Sequence, residues 1–397
     1  MNTGFLYVQL HSLTVFRALL SDPVIAALCR FLGTPSADTA EAVSAYAAFV
    51  AEVYNTGAES FAEYVQGLVN DDENAYIRLI GKGEQPPAEM ERCAQAEFDI
   101  LQTVADLTAD ELCAELAWSG YLPAFPVGKV DLAGDYAMRC ANVGRYGYGM
   151  YAKHRMFYVS PENKIVPVYH PDRTRLSSLV DYEREKQIIV DNTVALLEGK
   201  PAANILLTGD AGTGKSSTVK AVVNELHDRG LRILEVRKEQ LHAIPSILDS
   251  LSSNPLKFIL FIDDLSFQKD DDNFSALKAI LEGSVSTKAQ NVVVYATSNR
   301  RHLVKETFSD RDGDDIHRND TMQEIISLSA RFGIHITFQK PNKQTYLDIV
   351  QHLAAERGLQ YDPDELALLA ERFALDKGGR SARAAKQFVD GLTTAEN

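Results

Sequence analysis

The feature that most constrains the fold of this chain is the glycine-rich segment GDAGTGKS, which runs from Gly209 to Ser216. It fits the pattern GxxxxGK[ST], follows the apolar run NILLT and precedes the helical pattern SSTVKAVVNEL. A glycine-rich turn at the start of a helix lets backbone N–H groups surround a phosphate, and the helix dipole favours an anion there. The segment therefore predicts a nucleotide-binding loop between a strand and a helix.

The chemistry of this loop assigns roles to its residues. Lys215 is expected to reach the β- and γ-phosphates of a nucleotide, and the hydroxyl of Ser216 is expected to ligate Mg²⁺. A nucleotide and Mg²⁺ are thus predicted to bind at this loop. The predicted nucleotide contacts in the loop are Gly209, Asp210, Ala211, Gly212, Thr213, Gly214, Lys215, Ser216 and Ser217.

A second acidic motif follows downstream, where the apolar run FILFI ends in Asp263 and Asp264. Two carboxylates at the end of a buried strand are costly unless a metal or a water network uses them. Asp263 fits the role of organising Mg²⁺, through a bound water. Asp264 fits the role of orienting and activating the attacking water.

Short apolar runs recur around these motifs, with helical patterns or loops between them. Such a pattern predicts a mostly parallel, buried sheet in an α/β fold. The runs lie at residues 205–207, 231–236, 258–262, 292–296 and 334–338. We expect the α/β core to occupy residues 176–340 and helices to occupy 341–397.

The first part of the chain differs in both pattern and charge. Residues 1–128 have helical periodicity and contain 18 acidic but only five basic residues, out of a net charge of −15 for the whole chain. We expect an acidic helical domain there, and its charge disfavours nucleic acid as its ligand. Such a domain could recruit a protein partner.

Residues 129–175 are rich in glycine, tyrosine and basic side chains, and short strands are expected there. Cations interleaved with aromatic rings are also found in proteins that bind single-stranded nucleic acid. We favour a packed connector between domains over a nucleic-acid surface. The residues concerned are Arg145, Tyr146, Tyr148, Tyr151, Lys153, His154 and Arg155.

No apolar run in the sequence reaches the roughly 18 residues that a membrane-spanning helix needs. The N-terminal residues lack the features of a secretory signal. The four cysteines show no CxxC spacing and are expected to be reduced and buried. These features favour a cytoplasmic protein without a membrane partner.

The motifs resemble those of the AAA+ ATPases, and in particular a bacterial family named domain of unknown function 815. The similarity is carried by NILLTGDAGTGKSSTVKAVV, FIDDLSFQKDDDNFSALKAILEG, VVVYATSNRRHLV and SLSARFGIHITF. It extends from about residue 167 to the end of the chain. It implies a five-stranded parallel core flanked by helices, a C-terminal helical lid and assembly into an oligomer, for which a hexamer is expected.

The resemblance also implies further site residues. Asn299 matches the polar sensor 1 position, with Ser298 and Thr297 as neighbouring alternatives. Arg383 matches sensor 2 in GGRSARAAKQFV, with Arg380 as the alternative. Val180 and Tyr182 occupy the position of the adenine-contact loop.

SLSARFG resembles the segment that supplies an arginine finger to the nucleotide of a neighbouring subunit. This likeness implies that Arg331 is the arginine finger, with Arg318 and Arg311 as alternatives.

The sequence departs from the AAA+ pattern in two respects. Asp264 stands where these hydrolases usually have Glu, and the aromatic–glycine pore loop of protein-threading unfoldases is absent after LRILEV.

The leading hypothesis is therefore an ATPase that hydrolyses ATP at a subunit interface and remodels an unidentified partner. Because Asp264 is one methylene shorter than Glu, a second hypothesis is a nucleotide-gated binding protein with little hydrolysis. A DNA-remodelling or loader ATPase is a third, which the net acidity disfavours.

Overall fold

The computed structural model describes residues 3–265 except 36 and 115, residues 277, 278, 280 and 281, residues 290–299, and residues 330–395. The chain divides into two compact units, Met1–Lys153 and His154–Asn397. The division falls inside residues 129–175, the segment expected as a connector.

The first unit is helical, as its periodicity predicts. Its helices are α1 (Thr3–His11), α2 (Pro23–Gly33), α3 (Thr39–Asn55), α4 (Phe61–Asp71), α5 (Ala75–Gly81), α6 (Ala88–Ala105), α7 (Ala109–Cys113), α8 (Leu132–Ala141), α9 (Val143–Tyr146) and α10 (Met150–Lys153), with a 3-10 turn at Arg17–Ser21. Their buried faces form a core of their own, which contains edge-to-face pairs such as Phe49–Phe61.

The basic and aromatic residues at the end of this unit pack against one another. The guanidinium of Arg139 lies 5.0 Å from the ring centroid of Tyr146, and that of Arg145 lies 5.3 Å from it. Arg139 and Lys153 both lie near the carboxylate of Asp71, at 3.7 and 3.9 Å. These cations are therefore partly balanced within the unit.

The second unit contains a seven-stranded sheet. Its strands are β1 (Met156–Val159), β2 (Ile165–Pro167), β3 (Ile205–Gly209), β4 (Leu231–Glu235), β5 (Lys257–Ile262), β6 (Val292–Ser298) and β7 (Ile334–Phe338). The order across the sheet is β2-β1-β4-β5-β6-β3-β7, and every pairing is parallel except that of β1 with β2.

Strands β3 to β7 are the five predicted from apolar runs, and the prediction of a parallel sheet is confirmed. β1 and β2 extend the sheet beyond β4, because Met156 pairs with Ile233 while Phe157 and Val159 are buried. The sheet therefore has seven strands rather than five. The two added strands come from the Gly- and Tyr-rich segment, in which short strands were expected but not assigned to this sheet.

Helices α11 (Glu183–Leu197), α12 (Lys215–Leu226) and α13 (Ile244–Ser252) belong to the α/β core, with 3-10 turns at Leu176–Ser178, His227–Arg229 and Lys238–Ala243. Helices α14 (Lys343–Glu356), α15 (Pro363–Asp376) and α16 (Ala382–Ala395) pack on one another around a separate small core. An α/β core followed by a helical lid is the architecture that the resemblance to AAA+ ATPases implied, and the predicted fold class is confirmed.

Among the residues that the structure describes, no helix combines the length and the apolar character that crossing a membrane requires. All four cysteines are free. The expectation that they are buried holds for Cys29 but is wrong for Cys93, which is exposed on α6.

Candidate nucleotide-binding site

The glycine-rich loop leaves the carboxyl end of β3, between β6 and β7, and leads into α12. Gly209, Gly212 and Gly214 all have positive φ, at 142°, 79° and 95°. A Cβ on Gly209 would lie 2.1 Å from the carbonyl oxygen of Phe338. The backbone conformation favours glycine at all three positions, and at Gly209 the close approach of β7 also excludes a side chain.

Lys215, the first residue of α12, is 5% exposed. Its ammonium donates to the carbonyl oxygens of Gly209 and Asp210, both at 2.8 Å, and to Oδ1 of Asn299 at 3.1 Å. Burial lowers the pKa of Lys215, although Asp263, Asp210 and Asp264 act in the opposite direction. The ammonium is thus held by neutral oxygens beside the phosphate loop.

The next residue connects the loop to the first acid. Ser216 Oγ donates to Oδ1 of Asp263 at 2.6 Å. Thr297 Oγ1, at the end of β6, donates to the same oxygen at 2.5 Å and accepts from the backbone N–H of Asp264 at 2.9 Å. A hydroxyl and a carboxylate in contact are the oxygen ligands that Mg²⁺ prefers, so these residues fit the metal.

The second acid is oriented by Asn299, whose Nδ2 donates to Asp264 Oδ1 at 2.6 Å. Asn299 therefore lies between the ammonium of Lys215 and the carboxylate of Asp264. Asp264 itself has a left-handed backbone with φ 54°, a conformation that costs energy for a residue with a side chain. Ser298, the neighbouring sensor 1 alternative, is fully buried.

The lid meets the glycine-rich loop through α16. The backbone N–H of Arg383 donates to the carbonyl oxygen of Gly212 at 3.2 Å, and Arg383 lines the cleft. Arg380, the alternative for sensor 2, makes two bonds of 2.7 and 2.6 Å to the carboxylate of Glu371 within the lid. Arg380 is thus committed to an ion pair, and it does not line the cleft.

A cleft of about 680 Å³ lies between the glycine-rich loop, the segment before α11 and the lid. Val180 and Tyr182, the residues predicted to contact adenine, line this cleft. The hydroxyl of Tyr182 donates to the carbonyl oxygen of Gln339, and its ring lies 4.9 Å from that of Phe338. Burial raises the pKa of Tyr182 to about 12, so the phenol remains a neutral donor.

Most of the predicted residues meet at this cleft. Those that line it are Val180, Tyr182, Ala211, Gly212, Thr213, Gly214, Lys215, Ser216, Ser217, Asp263, Asp264, Asn299 and Arg383. Gly209 and Asp210 are not among the lining residues but bind Lys215 through their carbonyl oxygens.

Arg331 lies elsewhere. It precedes β7, and β7 runs towards the glycine-rich loop, because Ile334 pairs with Ile205 and Phe338 pairs with Gly209. The strand alone spans about 13 Å. Arg331 is therefore beyond the end of β7 opposite the cleft. Arg318 and Arg311 lie outside the described residues.

Sequence reasoning missed several residues of the lid wall. They are Ile349, Leu353, Glu356, Arg357 and Lys386. Helical spacing could have indicated some of them, because residues three or four apart lie on the same face of a helix. Lys386 is three residues after Arg383, and Leu353 is four residues after Ile349. Nothing in the sequence indicates which face of α14 turns towards the nucleotide loop.

The chain matches the family described as "Protein of unknown function (DUF815)" over residues 152–396. No curated protein matches it.

Similar solved structures include the RuvB Holliday junction branch migration motor of Thermotoga maritima, at 16% identity and TM-score 0.38, over 56% of this chain and 66% of that one. The ORC1 protein of Aeropyrum pernix in complex with DNA is 16% identical, with a TM-score of 0.40, over 55% of this chain and 61% of that one. PCH-2 of C. elegans is 16% identical, with a TM-score of 0.36, over 53% of this chain and 63% of that one. The chain thus spans slightly less than two thirds of each.

The family match covers well over half of the 397 residues and includes the whole cleft. The chain belongs to the DUF815 family.

Proposed function

We propose that this protein binds ATP with Mg²⁺ in the cleft and hydrolyses it, with Arg331 of a second copy completing the site. The observation that carries the proposal is the arrangement at the carboxyl edge of the sheet. Lys215, Asn299 and Asp264 form one chain of hydrogen bonds, and Ser216, Asp263 and Thr297 form another.

The roles follow from these contacts. The backbone of the glycine-rich loop and the ammonium of Lys215 would bind the phosphates, and Ser216 and Asp263 would hold the metal. Bound Mg²⁺ supplies positive charge to the phosphate oxygens. Asp264 would accept a proton from the attacking water, and Asn299 orients that carboxylate. Arg383 would couple the lid to the phosphates.

A finger acting between subunits is supported by the position of Arg331. The residue lies past the end of β7 that is remote from its own cleft, so it is unsuited to act on its own nucleotide. In a head-to-tail assembly, that end of one subunit can approach the cleft of the next. We therefore propose a homo-oligomer, for which a hexamer is the working expectation, without a membrane partner and in the cytoplasm.

The test is ATPase activity measured against protein concentration, with light scattering to follow mass. Specific activity should rise with concentration. Lys215→Ala should abolish nucleotide binding, whereas Arg331→Ala should retain binding and lose turnover by about 10³-fold or more. Arg372→Ala, at an exposed position on the lid, serves as the matched control and should behave as the wild type. Loss of binding in Arg331→Ala would contradict the proposal.

A second candidate function is a nucleotide-gated binding protein that hydrolyses ATP rarely. It is favoured by Asp264, which is a short carboxylate on a strained backbone and already bonded to Asn299. Tight ATP binding with negligible turnover at every protein concentration would establish this function instead. The acidic first unit would then be the surface that recruits a basic protein partner.

Nucleic acid is the less favoured partner. Lys153 lies beside Asp71, Arg145 lies over the ring of Tyr146, and Tyr148 is buried in the core of the first unit. Binding to DNA that weakens steeply as salt increases would restore the DNA-remodelling hypothesis.

A further inference from the structure

The wall of the cleft before α11 has an unusual backbone. Asp181 and Tyr182 are consecutive residues with side chains, and both are left-handed, with φ 72° and 65°. Such conformations persist only where the surrounding structure holds them in place. Tyr182 is held from one side, by its bond to Gln339 and its contact with Phe338. These contacts leave the start of the loop, at Leu179, to be held by another residue.

Lys186 provides that attachment. Its ammonium donates to the carbonyl oxygen of Leu179 at 2.6 Å and to Oε1 of Glu183 at 2.6 Å. Lys186 is only 6% exposed, whereas the side chain of Glu183 is 81% exposed. The buried partner of the ammonium is therefore the loop carbonyl, and the carboxylate covers it from the solvent side.

The position of this lysine is unfavourable on local grounds. It lies in the first turn of α11, where the helix dipole disfavours a cation, and burial adds a desolvation cost. Nothing in helix formation explains a buried ammonium at this point. Its contacts do explain it, because Lys186 binds the backbone of Leu179, and Lys186, Leu179, Val180 and Tyr182 all line the cleft.

We propose that Lys186 is the positioning residue for the base of the bound nucleotide. By holding the Leu179 carbonyl, it fixes the loop 179–182 in the shape that receives the base, opposite Ile349 and Leu353 of the lid. Its effect is confined to the base, since the phosphates are bound by α12 and the glycine-rich loop. This inference rests on the proposed nucleotide binding and adds a residue that acts on one part of the ligand.

The test compares two ligands, Mg²⁺-ATP and inorganic tripolyphosphate with Mg²⁺, by calorimetry on the full chain. Lys186→Met removes the donor while keeping the length of the side chain. It should weaken ATP binding by about tenfold, because the loop must then be ordered on binding. Tripolyphosphate binding should change by less than about twofold. In turnover, KM for ATP should rise while kcat stays within about twofold.

Two further variants separate positioning from general damage. Glu183→Gln removes the exposed charge but leaves the bond to Leu179, and it should bind both ligands as the wild type does. Tyr182→Phe removes the bond to Gln339 at the other end of the loop. It should weaken the binding of ATP but not that of tripolyphosphate. This variant keeps the proposal testable if Lys186→Met does not fold.

Equal weakening of both ligands in Lys186→Met, or no weakening of either, would overturn the positioning role. Failure of the wild-type protein to bind either ligand would overturn the proposed function itself. The two failures are therefore distinguishable.

Discussion

At the level of single residues, the ammonium of Lys215 is buried among carbonyl oxygens, and burial lowers its pKa. The protonated form attracts phosphate and the neutral form does not, so affinity falls as pH rises through this pKa. The fall should therefore begin at a lower pH than for an ordinary lysine. The nucleotide phosphates are already ionised above about pH 7.5, so their own titration does not change the affinity at higher pH.

The measurement is the Kd of ADP from about pH 7.5 to pH 10. Lys215→Arg supplies the matched control because an arginine keeps its charge over this range. Its affinity, although weaker, should be nearly independent of pH. Parallel pH profiles for the two proteins would show that another group is responsible.

The sequence predicts the residues of this site better than it predicts their partners. Lys215, Ser216, Asp263 and Asp264 stand at fixed distances from strand ends, so local patterns are enough to find them. The sequence indicates Thr297 only as an alternative sensor 1 residue. Its hydroxyl binds Asp263 and the backbone of Asp264, a contact set by the adjacency of β5 and β6 in the sheet. The sequence pattern of each strand alone does not show that β5 and β6 lie next to each other in the sheet.

At the level of elements, Asn192 of α11 binds both β6 and the segment that precedes β3. Its side-chain amide exchanges two hydrogen bonds of 2.9 Å with the backbone of Ala203 and donates to the hydroxyl of Tyr295 in β6 at 3.0 Å. Asn204, which follows Ala203, accepts a hydrogen bond through its backbone carbonyl oxygen from the backbone N–H of Ile334 at the start of β7. A Cβ on Gly333 would lie 2.9 Å from that of Ala203. Asn192 therefore helps to hold residues 203–204, which contact Gly333 and Ile334, two and three residues after Arg331.

Asn192→Ala should lower the free energy of unfolding by about 1–3 kcal/mol, because the backbone N–H and C=O of Ala203 lose their side-chain partner, while the hydroxyl of Tyr295 keeps its bond to Thr193. Turnover should also fall, through displacement of Arg331, while ATP affinity stays unchanged. Urea unfolding, ATP binding and ATPase activity measure the three effects. Gln187→Ala, which removes an exposed bond to Asp191 on the same helix, should change stability by no more than about 0.5 kcal/mol. If Gln187→Ala lost as much stability and turnover as Asn192→Ala, the proposed role of Asn192 in holding this segment would be wrong.

The sequence also predicts elements unequally. Runs such as residues 258–262 are long, apolar and bounded by turns, and all five appear as strands. β1 and β2 are shorter and lie among glycines, tyrosines and cations, so their apolar residues do not stand out. Their place beside β4 depends on a long-range pairing of Met156 with Ile233. Neither periodicity nor composition contains that information.

At the level of the whole molecule, the two units have separate cores and different charge. Residues 1–128 carry a net charge of −13 out of −15, so the rest of the chain carries only −2 and most of the negative charge lies in the first unit. Long-range attraction of a basic partner would therefore act mainly on the first unit. The motifs of the second unit describe how nucleotide would be used, whereas none in the first unit identifies what is acted on.

The assembly itself can be tested by mixing two inactive proteins. Lys215→Ala lacks nucleotide but keeps Arg331, and Arg331→Ala keeps nucleotide but lacks the finger. In a randomly mixed head-to-tail ring at equal amounts, about a quarter of the interfaces pair an intact cleft with an intact finger. ATPase activity should therefore reappear on mixing, and it should depend on the ratio of the two proteins.

The control for this experiment is a chain that carries both substitutions, which should not restore activity to Arg331→Ala at any ratio. If Arg331 acted on the nucleotide of its own subunit, no interface in the mixture would be complete and activity would stay absent. Recovery with the single variant but not with the double variant would thus place Arg331 at the neighbouring site. That result would also explain why this arginine lies beyond the end of β7 that is remote from the cleft of the same chain.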